Sequence, residues 1–303
     1  TDALTLGLHL LGVKHGDEVI TPPNSFIAST AAIVHLGAIP VFADVLADQN
    51  IDPEKIEKLI TKKTKAIMPV HLTGRMCDMS EIMRVARKHN LKVIEDCAQS
   101  IGSVYRKKKS GGFGDLGAFS THPLKNLNAC GDGGFIVTNN KKIADFIKLK
   151  RNHGHIDRDN IKFFGTVSRL DAIQAAILNF RLKKLEKVIS KRVENAQYYK
   201  KLLRNEDIFH PSERSDCRDT YHLFVIQVKN RDDLKKFLLK RKIETNIHYP
   251  IPIHKQRAFN KKINLPNTEK QSKRILSLPI NQYISKNEIK RICNHIIQFV
   301  KEN

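Results

Sequence analysis

Over the first 150 positions apolar residues recur in two alternating modes, as short runs with few polar breaks and as stretches that fall on one helical face. TDALTLGLHLLGV opens the chain with Leu4, Leu8 and Leu11 on one face behind Thr1 and Asp2, which predicts an amphipathic helix. EVITPP, IPVFADV, KAIMPVH, LKVIED and GGFIVT read as strands, with helical segments between most of them. Their near-continuous apolar character predicts a sheet covered on both faces. One long helix is expected from about Leu170 to Leu203, with Ile173, Ala176, Ile177, Phe180 and Leu185 at helix-like intervals. Beyond it TYHLFVIQV alternates like a strand, RDDLKKFLLKRKI is amphipathic, and SKNEIKRICNHIIQFVKE places a Ser cap before an apolar face. The pattern predicts a large α/β domain over residues 1–186 and a smaller C-terminal α+β domain over residues 187–303.

Charge narrows the partners. Lys and Arg number 53 against 31 acidic residues, a formal +22, which suits nucleic acid, an anionic membrane surface or a phosphorylated small molecule. Short runs such as Lys107 to Lys109 lack the aromatic interleaving of a stacking groove, so they read as solvated faces and no nucleic-acid partner is expected. No apolar run reaches the roughly 18 residues of a membrane span, and no membrane partner is expected. The five cysteines are odd in number, widely spaced and free of CxxC pairs, which argues against a disulfide framework and for a cytoplasmic location. His71, Cys77 and Asp78 in HLTGRMCD are metal-ligand types, yet no second cluster completes a site, so a loop and no metal is the expectation.

Several residues could carry chemistry. Asp96 ends a strand, where ligands collect in α/β sheets, with Gln99 three residues on; a helix cap explains Asp96 as well. GGFGDLG resembles a phosphate-cradling turn only loosely, without the order of a dinucleotide fingerprint or P-loop. Thr1 and Asp2 open a helix, whose free N–H groups and dipole favour an anion, or they form a plain cap. Lys125, in FSTHPLKNLNACGDGG, would need a rigid seat and a dehydrated pocket to act as a nucleophile. Pro123 and the glycines supply the seat, while a surface loop lysine is the simpler reading of an isolated Lys.

Taken jointly, TDAL, GDEVITPPNSFIASTAAI, GAIPVFADV, PVHLTG, VIEDCAQSIGS, GDLGAFSTHPLKNLNACGDGGFIVTNN, RNHG, SRLDAIQAAIL and IETNIHYPIPIH resemble the DegT/DnrJ/StrS family of sugar aminotransferases. These are pyridoxal 5'-phosphate (PLP) enzymes of fold type I, the aspartate-aminotransferase architecture, and the resemblance spans essentially the whole chain. It implies that Lys125 is the Schiff-base lysine, Asp96 the partner of the protonated pyridine nitrogen, Gln99 the neighbour of the ring hydroxyl and Phe26 the aromatic on the ring face. Ser120, Thr1 and Asp2 would grip the phosphate. His248 and Tyr249 match a stretch that contributes to the substrate pocket, with a buried ring pair on a strand as the alternative. A non-aminating branch of the family carries His in place of this lysine, so Lys125 implies transamination from glutamate or glutamine to a keto-sugar nucleotide, in cell-surface polysaccharide or glycan biosynthesis. Homodimers with shared active sites are implied too.

Three departures stand out. Family members carry a few dozen residues before TDAL, so a fragmentary sequence is expected. The usual GxNSRLD reads GTVSRLD, with Val167 where an Asn reaches the phosphate of the neighbouring subunit. His122 occupies a position between Ser and Pro that is aromatic or His in the family. The lost N-terminus and Val167 are what favour the alternative, a PLP-binding homologue with a structural or regulatory role.

Overall fold

The structure, a computed structural model, describes residues 1–259 and 262–302. The first half runs α1 (Asp2–Leu10), β1 (Glu18–Thr21), α2 (Ile27–Val34), β2 (Ile39–Phe42), α3 (Pro53–Lys58), β3 (Thr64–Ile67), α4 (Met79–Lys88), β4 (Lys92–Asp96), the short β5 (Val104–Tyr105) and β6 (Lys108–Lys109), β7 (Leu116–Ser120) and β8 (Gly134–Val137). Six of these strands form one sheet in the order β2-β1-β3-β4-β7-β8. Neighbours are parallel except β8, which closes the edge antiparallel to β7.

The sheet is covered on both faces, as its apolar strands require. Val19, Ala66, Met68 and Ile94 pack with Leu4, Leu8 and Ile33 on one side, while Ile20, Ile67 and Val93 pack with Ile56, Met79 and Ile82 on the other. Successive side chains of a strand point to opposite faces, so adjacent residues feed different cores. Gly7 lets α1 press onto the sheet: a Cβ there would lie 2.8 Å from Ile94 Cδ1 and 2.9 Å from Leu116 Cδ1.

The second half contains α5 (Lys141–Lys150), α6 (Ala172–Leu182), α7 (Leu185–Leu202), β9 (Cys217–Arg218), β10 (Phe224–Gln227), α8 (Arg231–Lys240), α9 (Pro266–Ser272), β11 (Ile275–Leu278) and α10 (Lys286–Glu302). The antiparallel pair β10 and β11 shares a core with α7, α8 and α10 through residues such as Tyr199, Phe224, Leu234, Leu276 and Ile292.

Two expectations need correction. The single helix from Leu170 to Leu203 is two helices with a turn at Lys183 and Lys184. Those residues keep φ/ψ of −62/−20 and −107/−4, a relaxation open to any residue, so neither Gly nor Pro marks it. The turn matters because Leu185 and Ile189 pack beside Leu127 and Leu178, whereas Ala196 and Tyr199 belong to the C-terminal core. Second, the expected strands omit LGAFS, which is the inner strand β7 with Leu116, Gly117, Ala118 and Phe119 buried. Glycines hide it. Gly117 is there because a Cβ would come within 2.4 Å of Gly111 Cα.

Candidate active site

β4 and β7 are parallel neighbours, so their ends lie side by side and deliver Asp96 and Ser120 to one edge of the sheet. A helix feeding a parallel strand runs antiparallel to it, which brings the N-terminus of α1, with Thr1 and Asp2, to that same edge. Thr1 is the N-cap of α1 but makes no side-chain cap bond, and Asp2 accepts a hydrogen bond from Ser168 Oγ at 2.7 Å. The free N–H groups of the first turn are left to water or a ligand.

Asp96 is 4 % exposed. Its Oδ2 accepts from Ser29 Oγ at 2.8 Å and its Oδ1 from the Ala98 N–H at 3.0 Å. Lys125 sits half-buried in the loop between β7 and β8, its N–H on the His122 carbonyl at 2.8 Å. Burial pushes the Lys125 ammonium below the usual lysine range, and the nearby Asp96 carboxylate pulls in the opposite direction. No helix follows Asp96 before β5, so the Ala98 N–H bond belongs to a turn and the helix-cap reading fails.

Gln99 accepts the Thr73 N–H on its Oε1 at 2.7 Å, which turns its amide NH2 the other way. The Tyr249 hydroxyl interacts with Gln99, and burial together with Asp96 pushes it up to about 12. Phe26, the N-cap of α2, keeps its ring 57 % exposed, with the Tyr249 ring centroid 6.1 Å away. The His248 Nδ1 meets Ser277 Oγ at 2.8 Å, and burial and Lys125 lower its pKa. Phe26, Asp96, Gln99, Lys125, His248 and Tyr249 thus form one neighbourhood, while Ser120, Thr1 and Asp2 stand at the strand ends and helix start. The Ser120 hydroxyl accepts the His122 N–H at 3.3 Å. Val167 is 54 % exposed and bridges Asn152 through its backbone.

Three further residues belong to this neighbourhood. Ser29 is one helical turn beyond Phe26 in NSFIAS, a spacing that puts both on one face. Thr73 sets the amide of Gln99. His222 borders a cavity of about 630 Å³ together with His248. Its Nδ1 is buried without a partner, and burial, Lys125 and Arg192 hold its pKa well below the histidine range. The alternation of TYHLFVIQV reads as core and conceals it. The segment is tied to the lysine loop, since Asn126 Nδ2 donates to the Thr220 carbonyl at 3.1 Å.

His71, Cys77 and Asp78 do not converge. Asp78 caps α4 through the Ser80 and Glu81 N–H groups, the Cys77 thiol donates to the Val70 carbonyl at 3.3 Å, and His71 faces Glu95 at 2.9 Å. GGFGDLG does cradle an anion, but the anion is the chain's own Glu95 carboxylate, bound by the N–H groups of Gly111, Phe113 and Gly114.

The donor set fits PLP. A buried carboxylate, an amine lowered by burial, an outward-facing aromatic and a free helix N-terminus match its basic ring nitrogen, aldehyde, ring face and phosphate in turn. Known proteins agree with this fit. The dTDP-3-amino-3,6-dideoxy-alpha-D-galactopyranose transaminase of Aneurinibacillus thermoaerophilus is 43 % identical over 98 % of this chain and 83 % of its own length. The UDP-N-acetyl-3-dehydro-alpha-D-glucosamine 3-aminotransferase of Acidithiobacillus ferrooxidans is 40 % identical over 98 % and 81 %. Among solved structures, Streptomyces venezuelae DesV in complex with a ketimine intermediate superposes with a TM-score of 0.95 at 36 % identity, over 99 % of this chain and 82 % of that one. With residues 1–297 matched by the family's model, the chain belongs to the DegT/DnrJ/EryC1/StrS aminotransferase family.

Proposed function

We propose that this protein is a PLP-dependent aminotransferase that moves an amino group from glutamate or glutamine to a keto-sugar nucleotide for polysaccharide or glycan biosynthesis. The observation that carries the reading is Lys125: an amine whose charge is disfavoured by burial, opposite a buried carboxylate, in a chain of this family. Characterised relatives that aminate dTDP- and UDP-linked sugars support the acceptor class.

PLP, when bound, supplies the electron sink that makes the donor's Cα–H acidic. The chain's residues supply the rest. Asp96, fixed by Ser29 and Ala98, would hold a proton on the ring nitrogen through a charge-assisted bond. Gln99, oriented by Thr73, would present its NH2 to the ring oxygen, and Phe26 would cover one ring face. Ser120 and the first N–H groups of α1 would bind the phosphate. Lys125 Nζ, its charged form disfavoured by burial, would take the proton from the donor's Cα and return it across the same face. His248 and Tyr249 would border the substrate.

The division at residue 186 also belongs to this reading, with the six-stranded sheet as the cofactor domain and the C-terminal core as a second unit. So does self-association. Phe164 is 94 % exposed, Ile173 70 % and Phe180 61 %, large apolar side chains that a second copy would cover. No described helix is long and apolar enough to cross a membrane, which is compatible with the proposed cytoplasmic location.

The test is a panel of dTDP- and UDP-keto-sugars offered with PLP and either glutamate or glutamine, with products identified by NMR. An aminated sugar nucleotide is expected. Failure to aminate any acceptor, with PLP bound, would remove the proposal.

A further inference from the structure

Two adjacent acids end β4, and only Asp96 faces the lysine. Glu95 points to the opposite side of the sheet and is fully buried. Its carboxylate accepts four N–H groups: His71 Nε2 at 2.9 Å, Gly111 at 2.9 Å, Phe113 at 2.6 Å and Gly114 at 2.7 Å. The Cys77 N–H donates to His71 Nδ1 at 3.2 Å, so that nitrogen carries no proton and the imidazole is neutral. None of the four partners is a cation. Burial pushes the Glu95 carboxyl up, but its hydrogen-bonded and electrostatic interaction with His71, together with the Gly114 and Gly111 N–H groups, outweighs burial and keeps it below the usual range.

The ligand atoms of His71, Glu95 and Cys97 lie within 4.8 Å of one another, yet a metal does not fit. Both imidazole nitrogens are engaged, three amide hydrogens already point at the carboxylate, and burial keeps the Cys97 thiol protonated. The arrangement is instead a buried negative charge solvated by dipoles. Dipoles stabilise such a charge locally without cancelling its field at a distance.

The cradle also joins the elements around the site. The turn at Gly111 lies against β7, where a Cβ on Gly117 would meet Gly111 Cα at 2.4 Å, and β7 ends in Ser120. His71 belongs to the segment whose N–H bonds the Asp96 carbonyl at 3.1 Å.

We infer that Glu95 is a positioning residue for this site: it fastens the 111–114 turn and the 71–77 segment to the end of β4, and its uncancelled charge strengthens the hold of Asp96 on a cationic ring nitrogen. The inference rests on the PLP reading above. A nearby negative charge favours the cationic form of a titrating group, so its removal moves the titration toward acid.

The experiment compares the parent, Glu95→Gln and Glu95→Asp by following the absorbance of bound PLP against pH and by measuring the PLP dissociation constant. Gln keeps the size and loses the charge; Asp keeps the charge and shortens the reach. For Glu95→Gln the midpoint is expected to fall by about one pH unit, with PLP bound about 10-fold more weakly. Glu95→Asp is expected to keep the parent's midpoint while its Tm falls. A folded Gln variant with the parent's midpoint and affinity would overturn the inference whatever its Tm. Should the Gln variant fail to fold, Glu95→Asp decides, and a midpoint displaced from the parent's overturns the charge effect. A parent that develops no cofactor band defeats the PLP reading itself, and the inference with it.

Discussion

Glu95 and Asp96 share a strand, a charge type and near-complete burial, yet their surroundings are built by opposite rules. Around Glu95 both carboxylate oxygens are matched, and so is the ring nitrogen of His71 that takes a backbone N–H. Around Asp96 the matching stops short. Lys125 is left opposite a single carboxylate, and His222 Nδ1, Thr121 Oγ1 and Asn126 Oδ1 are buried without partners. A buried polar atom without a hydrogen bond costs about 1–3 kcal/mol. A fold tolerates several of them together where something else is meant to bind. The closed side therefore reads as framework and the open side as site.

Substitutions on the open side should remove function and spare stability. The largest effect is expected at Lys125→Ala, which should abolish the absorbance of lysine-bound cofactor and lower turnover by at least about 10³-fold, with Tm unchanged or raised. Near-normal transamination by that variant would end the assignment. Asp96→Asn comes next: it should still bind PLP, but a neutral amide cannot replace a charge-assisted bond worth about 1.5–3 kcal/mol, so turnover should fall roughly 10- to 100-fold. Stopped-flow measurement of each half-reaction checks it, and turnover within a few-fold of the parent contradicts the role.

Val167 is exposed, and its side chain offers no donor. Ser168 cannot stand in without breaking its 2.7 Å bond to Asp2. Val167→Asn is expected to tighten PLP by up to about 10-fold if this surface meets the phosphate of a second copy. Equal dissociation constants for parent and variant would exclude that contact.

The smallest effect concerns pH. Burial lowers the pKa of His222 first of all, with Lys125, Arg192 and His248 adding to it, and burial also lowers His248 and His210. For a histidine with a depressed folded value the unfolded chain binds the proton more readily. Its contribution to stability is complete above the ordinary value near 6.5 and is lost as pH falls through the window below it. Each fully shifted histidine can contribute up to about 1.4 kcal/mol per pH unit there. Urea midpoints measured between pH 7.5 and 5.5 should fall, and less steeply in His222→Gln. An identical slope in both proteins would show that His222 takes up its proton without cost.

Much of this was legible in the residues. Leu4, Leu8 and Leu11 are spaced for one buried helical face, and all three are buried. The apolar runs of β1, β3 and β4 foretell a two-faced sheet because neither face could stay in water. The family was legible in the joint order of stretches from TDAL to IETNIHYPIPIH, with the segment around Lys125 as one of them. β7 was hidden because its Gly117 answers to a contact with Gly111 that only folding creates, and the turn within the long helix because its dihedrals barely leave the helical region.

The periodicities, the two-faced sheet and the residue types a PLP site needs follow from local patterning or from a family's order of motifs, and so are written in the residues. Tertiary structure decided which anion occupies the glycine-rich cradle, since Glu95 and Gly111 are brought together only when β4 lies beside β7. It decided as well that Asp96 faces Lys125 while its neighbour faces away, and that His222, far along the chain, borders the same pocket as His248. Burial and the matching of donors to acceptors are properties of surroundings, and surroundings exist only in the folded chain.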